Sequence, residues 1–331
     1  MALQKRKTER GLASIARARE DRSLGRTRWT TQAGLVAGAV VVAGLVAHKV
    51  VSGRELESDR QALLAKQRAV SMTLGPEWFR LRDGLEADVL GAAKEYAGDD
   101  VDPEVRRAEF RTWPGLYLRM RVADAKDAAT VRAIAADARK DAFAACLLRE
   151  PNERGSRGDA DAGAFAEQPW NLGQAYAATR ILTDDWVNEV RAADEDLRLR
   201  IFAQQYDKAV ADEIPLAIDV VKRARFFLLV LDEDVPEAAA LGDGGPMTED
   251  SLQLVPHPAR VHLFDLTSGK ELLRLRRSGD ATVISAGERV VSDPEMHDAM
   301  QRQANNCALA RRIDEAIAPL AAPGTRPNGA R

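Results

Sequence analysis

The hydrophobic pattern of this chain changes period several times, and each change predicts a different element. Residues 33–47, AGLVAGAVVVAGLVA, are apolar throughout. A helix of that length covers about 22 Å, against about 30 Å of bilayer hydrocarbon. The span closes if Thr30 to Gln32 enter on one side and His48 to Val51 on the other. Trp29 then sits at the interface and Lys49 reaches back to the headgroups. A membrane anchor over 30–51 is therefore expected. Val50 to Thr73 continues as a helix in which Leu56, Leu63 and Val70 recur every seven residues. The positions between them (Asp59 or Arg60, then Gln67) are polar, so this reads as a stalk with a weak coiled-coil seam. Gly75-Pro76 ends it, and Pro76 suits the first turn of a second helix, with Trp78, Leu81, Leu85, Val89, Ala92 and Tyr96 on one face.

Beyond the linker that starts at Ala97, the period shortens to two. Leu116, Leu118, Met120 and Val122 alternate with Tyr117, Arg119 and Arg121, which predicts a half-buried strand with its polar face outward. Asp127 to Lys140 reads as a helix. FAACLL, residues 143–148, is a continuous apolar run and is read as an interior strand. Strand, helix and strand together imply a right-handed parallel crossover. A polar, Gly-rich loop follows over 151–168, then helices over 171–182, 185–210 and from Pro215 to Lys222. Trp186, Val190, Ala193, Leu197 and Ile201 form the inner face of the long middle one. FFLLVL, 226–231, is a second interior strand. Residues 260–266 and 271–276 form a hairpin around Thr267-Ser268-Gly269, with Gly269 at the positive-φ position. Thr282 to Ser285 is a candidate short strand. Ser292-Asp293-Pro294-Glu295 is a capping box for a last helix reaching about Ala318, with Met296, Met300, Gln303, Cys307, Ala310, Ile313 and Ile317 on its inner face.

Charge gives this pattern an orientation. Before Trp29 there are nine Lys or Arg and three acids, so the tail carries +6; the chain is −3 overall, which leaves −9 for the rest. By the positive-inside rule the tail, 1–29, stays in the cytoplasm and the main domain crosses. A cleaved signal peptide is the rival reading, but its charged leader would be unusually long. The acidic exterior argues against nucleic acid as a partner. Gly34 and Gly38 form a GxxxG face, a candidate for weak self-association through the anchor, although Gly and Ala are common in membrane spans. The Arg- and Ala-rich composition suggests a GC-rich bacterial genome.

Candidate chemistry is sparse. Cys146 and Cys307 have no metal-ligand spacing. If strand 143–148 lies beside the last helix, they are a candidate disulfide in an oxidising compartment. FAACLL alternates faces, so the facing of Cys146 is undetermined and two free thiols are expected. His257, His262 and His297 read as scattered structural histidines. Asp159, Asp161 and Gly163 fail the calcium-loop pattern, because Gly occupies the fifth position. Asp232, Glu233 and Asp234 follow an interior strand, where ligands of α/β sheets bind, and are the one weak candidate for ligand binding or acid–base work. No catalytic residue, metal or cofactor is predicted.

The expected architecture is an α/β domain with a mixed, α+β-like sheet, carried by a helical stalk on one N-terminal transmembrane helix. Its segments are the tail 1–29, the anchor 30–51, the stalk and linking helix 52–98, the domain 99–320 with a helical insertion 168–224, and a disordered tail 321–331. The order of elements loosely resembles a thioredoxin-like layout, without that family's redox cysteine pair. The expected role is a membrane-tethered envelope protein of the bacterial inner membrane. Its periplasmic domain would bind another envelope protein, with the lipid bilayer as the other partner. The alternative is an enzyme or ligand-binding domain built on the acidic loop after 226–231.

Overall fold

The computed structural model describes residues 54–106, 108, 110–148, 169–240, 247–281 and 294–318. The basic tail, the anchor with Trp29, Gly34, Gly38 and Lys49, the loop 151–168, the candidate strand 282–285, the capping residues Ser292 and Asp293, and the C-terminal tail lie outside them. Among the described residues no helix is long and apolar enough to cross a membrane.

The chain forms two compact units, one of residues 1–65 and 190–202 and the other of 66–189 and 203–331. In the smaller, helix α1 (54–73) contributes its first turns, with Leu63 and Leu64 buried. Arg60 donates to the carbonyl of Ala193 there. Leu199 and Phe202 are buried, whereas Leu197 and Ile201, expected on the inner face, are exposed.

The larger unit is built on a six-stranded mixed sheet. Its strands are β1 (Asp100–Val101), β2 (Gly115–Arg121), β3 (Trp170–Asn171), β4 (Phe226–Asp232), β5 (Pro258–Asp265) and β6 (Lys270–Ser278). Their order is β1-β6-β5-β4-β2-β3, with β2 parallel to both β3 and β4 and the remaining pairs antiparallel. Gly269 closes the β5–β6 hairpin with φ +68°, a conformation that other residues adopt only with strain.

Helices cover both faces. α2 (Gly75–Ala92), α3 (Ala128–Asp137), α5 (Leu172–Ala178) and α8 (Ile214–Arg223) pack on one another on one side. α4 (Ala142–Leu148), α10 (Glu249–Leu254) and α11 (Pro294–Ile317) pack on the other. α6 (Asp184–Ala192), α7 (Asp196–Lys208) and the short α9 (Pro236–Ala239) complete the set. The close approach of α5 to α3 requires glycine: a Cβ on Gly173 would lie 2.5 Å from the Ala135 carbonyl oxygen. Gln67, a polar position that weakened the heptad seam, is buried, and its amide donates to the Ile181 carbonyl at 3.0 Å.

Four expectations are corrected. FAACLL is the helix α4, because Phe143, Ala144 and Leu147 lie on one helical face and bury together. A short apolar run does not by itself distinguish a buried strand from a buried helix. The thioredoxin-like layout needed that strand; β2 is instead flanked by the two-residue β3 and by β4, which runs parallel to it. The helix expected over 185–210 is two helices, α6 and α7, divided at residues 193–195. On α11 the buried face is Asn305, Asn306, Leu309, Ala310, Ile313 and Ile317, while Met296, Met300 and Gln303 are exposed.

Candidate functional site

The carboxyl ends of the parallel strands β2 and β4 are the place where the sequence pointed to Asp232, Glu233 and Asp234. β2 is covered on both faces, so its polar alternates are not on the surface. Tyr117 and Arg119 are buried under α4 and α11, which corrects the half-buried reading of that strand. Arg119 and Asp232 share a sheet face, and both are fully enclosed. Arg119 Nε and Nη2 donate to the two oxygens of Asp232 at 2.7 and 2.9 Å. Its Nη1 donates to Asp141 Oδ2 at 2.6 Å and to Asn306 Oδ1 at 2.7 Å. Asp141 also accepts from the Tyr117 hydroxyl and from the backbone N–H of Phe143, which fixes the start of α4. Asn306 donates onward to Gln253 Oε1, and Gln253 donates to Glu249.

His257 completes the cluster. Its Nε2 lies 2.9 Å from Asp232 Oδ1 and its Nδ1 lies 2.9 Å from the Val255 carbonyl. Each ring nitrogen thus faces an acceptor oxygen. Burial opposes ionisation of Asp232, yet the Arg119 guanidinium and the His257 hydrogen bond hold its carboxyl down at about 2. Burial pushes the Glu249 carboxyl up to about 8; Arg119 opposes the rise, and Asp232 and Asp141 add to it.

The two neighbouring acids diverge from Asp232. Glu233 accepts from Arg260 at 2.6 Å and from Arg276 at 3.0 Å. Asp234 accepts two bonds from Arg121, at 2.9 and 2.7 Å. Each carboxylate is engaged by its own arginine, and the three do not converge on a common point. His257 and His262 face opposite sides of the sheet, and His297 is exposed on α11. Among the described residues no group of three or more His, Cys, Asp or Glu is placed to hold a metal ion. The cluster can therefore join strands to helices, but it offers a substrate no free carboxylate of Asp232. Sequence reasoning missed Arg119, Asp141, Glu249, Gln253 and Asn306. The available signal was two adjacent asparagines on an otherwise apolar helix face.

The pH response of Glu249 has a definite sign. Its folded carboxyl holds a proton that the unfolded chain releases above about 4.5, so ionisation favours unfolding as pH rises from 4.5 to about 8. Glu249→Gln keeps the acceptor for Gln253 and removes that slope. With allowance for its partial exposure, the variant is expected to gain about 1–2 kcal/mol at pH 8 and nothing at pH 4. Denaturant unfolding at the two pH values measures this; equal gains at both would refute the assignment.

A further cleft lies elsewhere, on the opposite side of the sheet. It encloses about 690 Å³ between α1, α2, α3, α5 and α6. Half-buried Phe79 lines it with the buried Trp78 and Tyr176, Arg82, Arg132 and Arg180 supply positive charge, and Asp184, Asp185 and Glu189 supply negative charge. Glu86 is buried beneath it and accepts from Arg132 Nε and Nη2, both at 2.8 Å, and from the Tyr176 hydroxyl at 3.2 Å. Arg132 is thereby held at the floor, while Arg180 pairs with Glu189 at the rim.

The cysteines are joined. Cys146 on α4 and Cys307 on α11 form a disulfide with Cα atoms 5.2 Å apart. The expectation of two free thiols is overturned because residues 142–148 are helical, and that helix packs along α11.

No known protein family, curated protein or solved structure matches the chain.

Proposed function

We propose that this chain is a single-pass membrane-tethered envelope protein whose extracytoplasmic domain binds another envelope protein through the cleft between α2, α3, α5 and α6. The observation that carries the reading is the make-up of that cleft. Aromatic residues, three arginines and the acids Asp184, Asp185 and Glu189 line it together, with Glu189 paired to Arg180. Aromatic and arginine side chains dominate protein contacts, and charged groups at a contact orient a partner. The apolar segment 33–47 and the +6 tail support a bacterial inner-membrane anchor with the tail in the cytoplasm and the domain in the periplasm. The disulfide supports the same address, since such bonds persist in oxidising compartments. An enzyme or ligand site at Asp232, Glu233 and Asp234 has less support, because arginines engage all three acids.

The test has two parts. Reporters active in one compartment only, fused after Arg331, are expected to be active in the periplasm; cytoplasmic activity overturns the topology. A photo-crosslinking residue in place of the half-buried Phe79 at the cleft, in the full-length protein in its membrane, is expected to trap one discrete envelope protein. Asp184→Lys/Asp185→Lys, on exposed positions, is expected to lower the adduct about tenfold, or ~1.4 kcal/mol. An adduct unchanged by the double substitution rejects the cleft as the docking place.

A further inference from the structure

In the smaller unit, α7 begins with apolar residues on more than one side. Leu199 and Phe202 are buried, whereas Leu197 is 67% exposed and Ile201 is 46% exposed. Leu197 and Ile201 are four residues apart on a helix, so they share one face, one turn apart. A surface helix ordinarily carries one apolar stripe and a polar remainder. A second apolar pair on such a helix calls for a second apolar neighbour. Arg198 and Arg200 are exposed beside the pair. Arg200 is paired with Asp196 at 2.8 Å, and the Arg198 guanidinium lies over the Phe202 ring.

Chain length points to the neighbour. The apolar segment expected to span the bilayer ends at Val51, and α1 starts at residue 54. Three chain steps of at most about 3.6 Å and six helical steps of about 1.5 Å keep Arg60 within about 20 Å of Val51. Arg60 donates to the Ala193 carbonyl, and α7 opens three residues later, at Asp196. The headgroup layer fills about the first 5–7 Å outside the hydrocarbon. The pair is thus tethered near a lipid surface, and an ordinary helix tilt of about 20° is enough to lower one side of the unit toward it. Arg191, Arg198 and Arg200 balance Asp194, Glu195 and Asp196, so the formal charge of 190–202 is three minus three, or zero. Attraction to anionic lipid then adds little, and burial of the apolar pair is the term that remains.

We propose that Leu197 and Ile201 seat α7 on the phospholipid surface beside the anchor, with their side chains at the boundary of headgroups and acyl chains. The proposal rests on the anchor reading above. Arg198 and Arg200 reach the phosphates while the apolar pair goes deeper, as in helices that lie along a membrane interface. Two aliphatic side chains add little to the hold of a spanning helix. Their effect is to fix which side of the smaller unit faces the bilayer.

The test uses the full-length protein in phosphatidylcholine vesicles, labelled without reductant with an environment-sensitive fluorophore at Leu197→Cys or Ile201→Cys, both exposed positions. Leu216→Cys, exposed on α8 in the larger unit, is the comparison site, and Val41→Cys reports the anchor itself. Lipids carrying a nitroxide near the headgroup are expected to remove most of the fluorescence at 197 and 201 and little at 216. Phosphatidylglycerol should not increase that loss. No loss at 197 and 201 while Val41 is quenched by nitroxides deep in the acyl chains overturns the proposal and leaves the anchor standing. An unquenched Val41 overturns both. Equal loss at 216, or loss confined to vesicles with phosphatidylglycerol, also overturns it. An apolar emission shift at 197 and 201 that nitroxide lipids do not quench and that grows with the protein-to-lipid ratio assigns the face to a second copy of the chain instead.

Discussion

Arg119→Met is expected to destabilise the larger unit by about 3–5 kcal/mol, because it leaves buried carboxylates without their counter-charge. For a chain of this size that corresponds to a fall in melting temperature of about 10 °C or more. The substitution removes four hydrogen bonds donated by one guanidinium and strands Asp232, which has no exposed surface. Arg119→Lys keeps the charge but not the paired donors facing Asp232, so it is expected to lose about 1–3 kcal/mol. The double variant Arg119→Met/Asp232→Asn should recover part of the loss, since it removes the orphaned charge together with its partner. The pH dependence has the opposite sign to that of Glu249. The folded pKa of Asp232, about 2, lies below its ordinary 3.8, so its contribution is complete above pH 3.8 and is lost as pH falls toward 2. Arg119→Met should flatten the acid limb of the stability curve in that window. A loss under 1 kcal/mol with an unchanged acid limb would show that the cluster does not hold the strands to α4 and α11.

Reduction of the disulfide is expected to have an effect of similar size. Cys146 and Cys307 are 161 positions apart, and closing so long a loop is worth about 5 kcal/mol in the chain-entropy treatment. Removing native disulfides elsewhere costs about 2–5 kcal/mol, so Cys146→Ser/Cys307→Ser should lower the denaturant midpoint and raise the slope, because the unfolded chain without the crosslink exposes more surface. Thiol labelling of the denatured, unreduced protein should incorporate no label. Two labels per chain would remove both the bond and its support for an oxidising compartment.

Two predicted features show why parts of the fold were readable. The β5–β6 hairpin was legible because Thr267-Ser268-Gly269 sits between apolar alternations, and Gly269 takes the predicted positive φ. β4 was legible because six apolar residues in succession suit a strand covered on both faces. FAACLL had the same appearance and is a helix, since α4 buries only Phe143, Ala144 and Leu147 and its apolar run carries no period to separate the two states. Arg119 was misread for a related reason. Alternation places it on the face away from Leu118 and Met120, but alternation does not say whether that face meets water or another layer.

What the sequence alone determined is what short-range pattern and charge can determine: a mixed α/β chain, its hairpin, most helix positions, and an apolar segment preceded by a basic tail. Asp232 was singled out as a ligand-binding candidate from its place at a strand end. Only the tertiary structure decided what surrounds it. Arg119, Asp141, His257 and Asn306 are separated by up to 187 positions from one another, and no local period links them. Their meeting depends on β2 and β4 being parallel neighbours and on α11 bringing Asn306 to Arg119. The same long-range packing brought Cys146 to Cys307. Those contacts arise from how whole layers stack, and that stacking is set by the summed burial of many side chains rather than by any one segment.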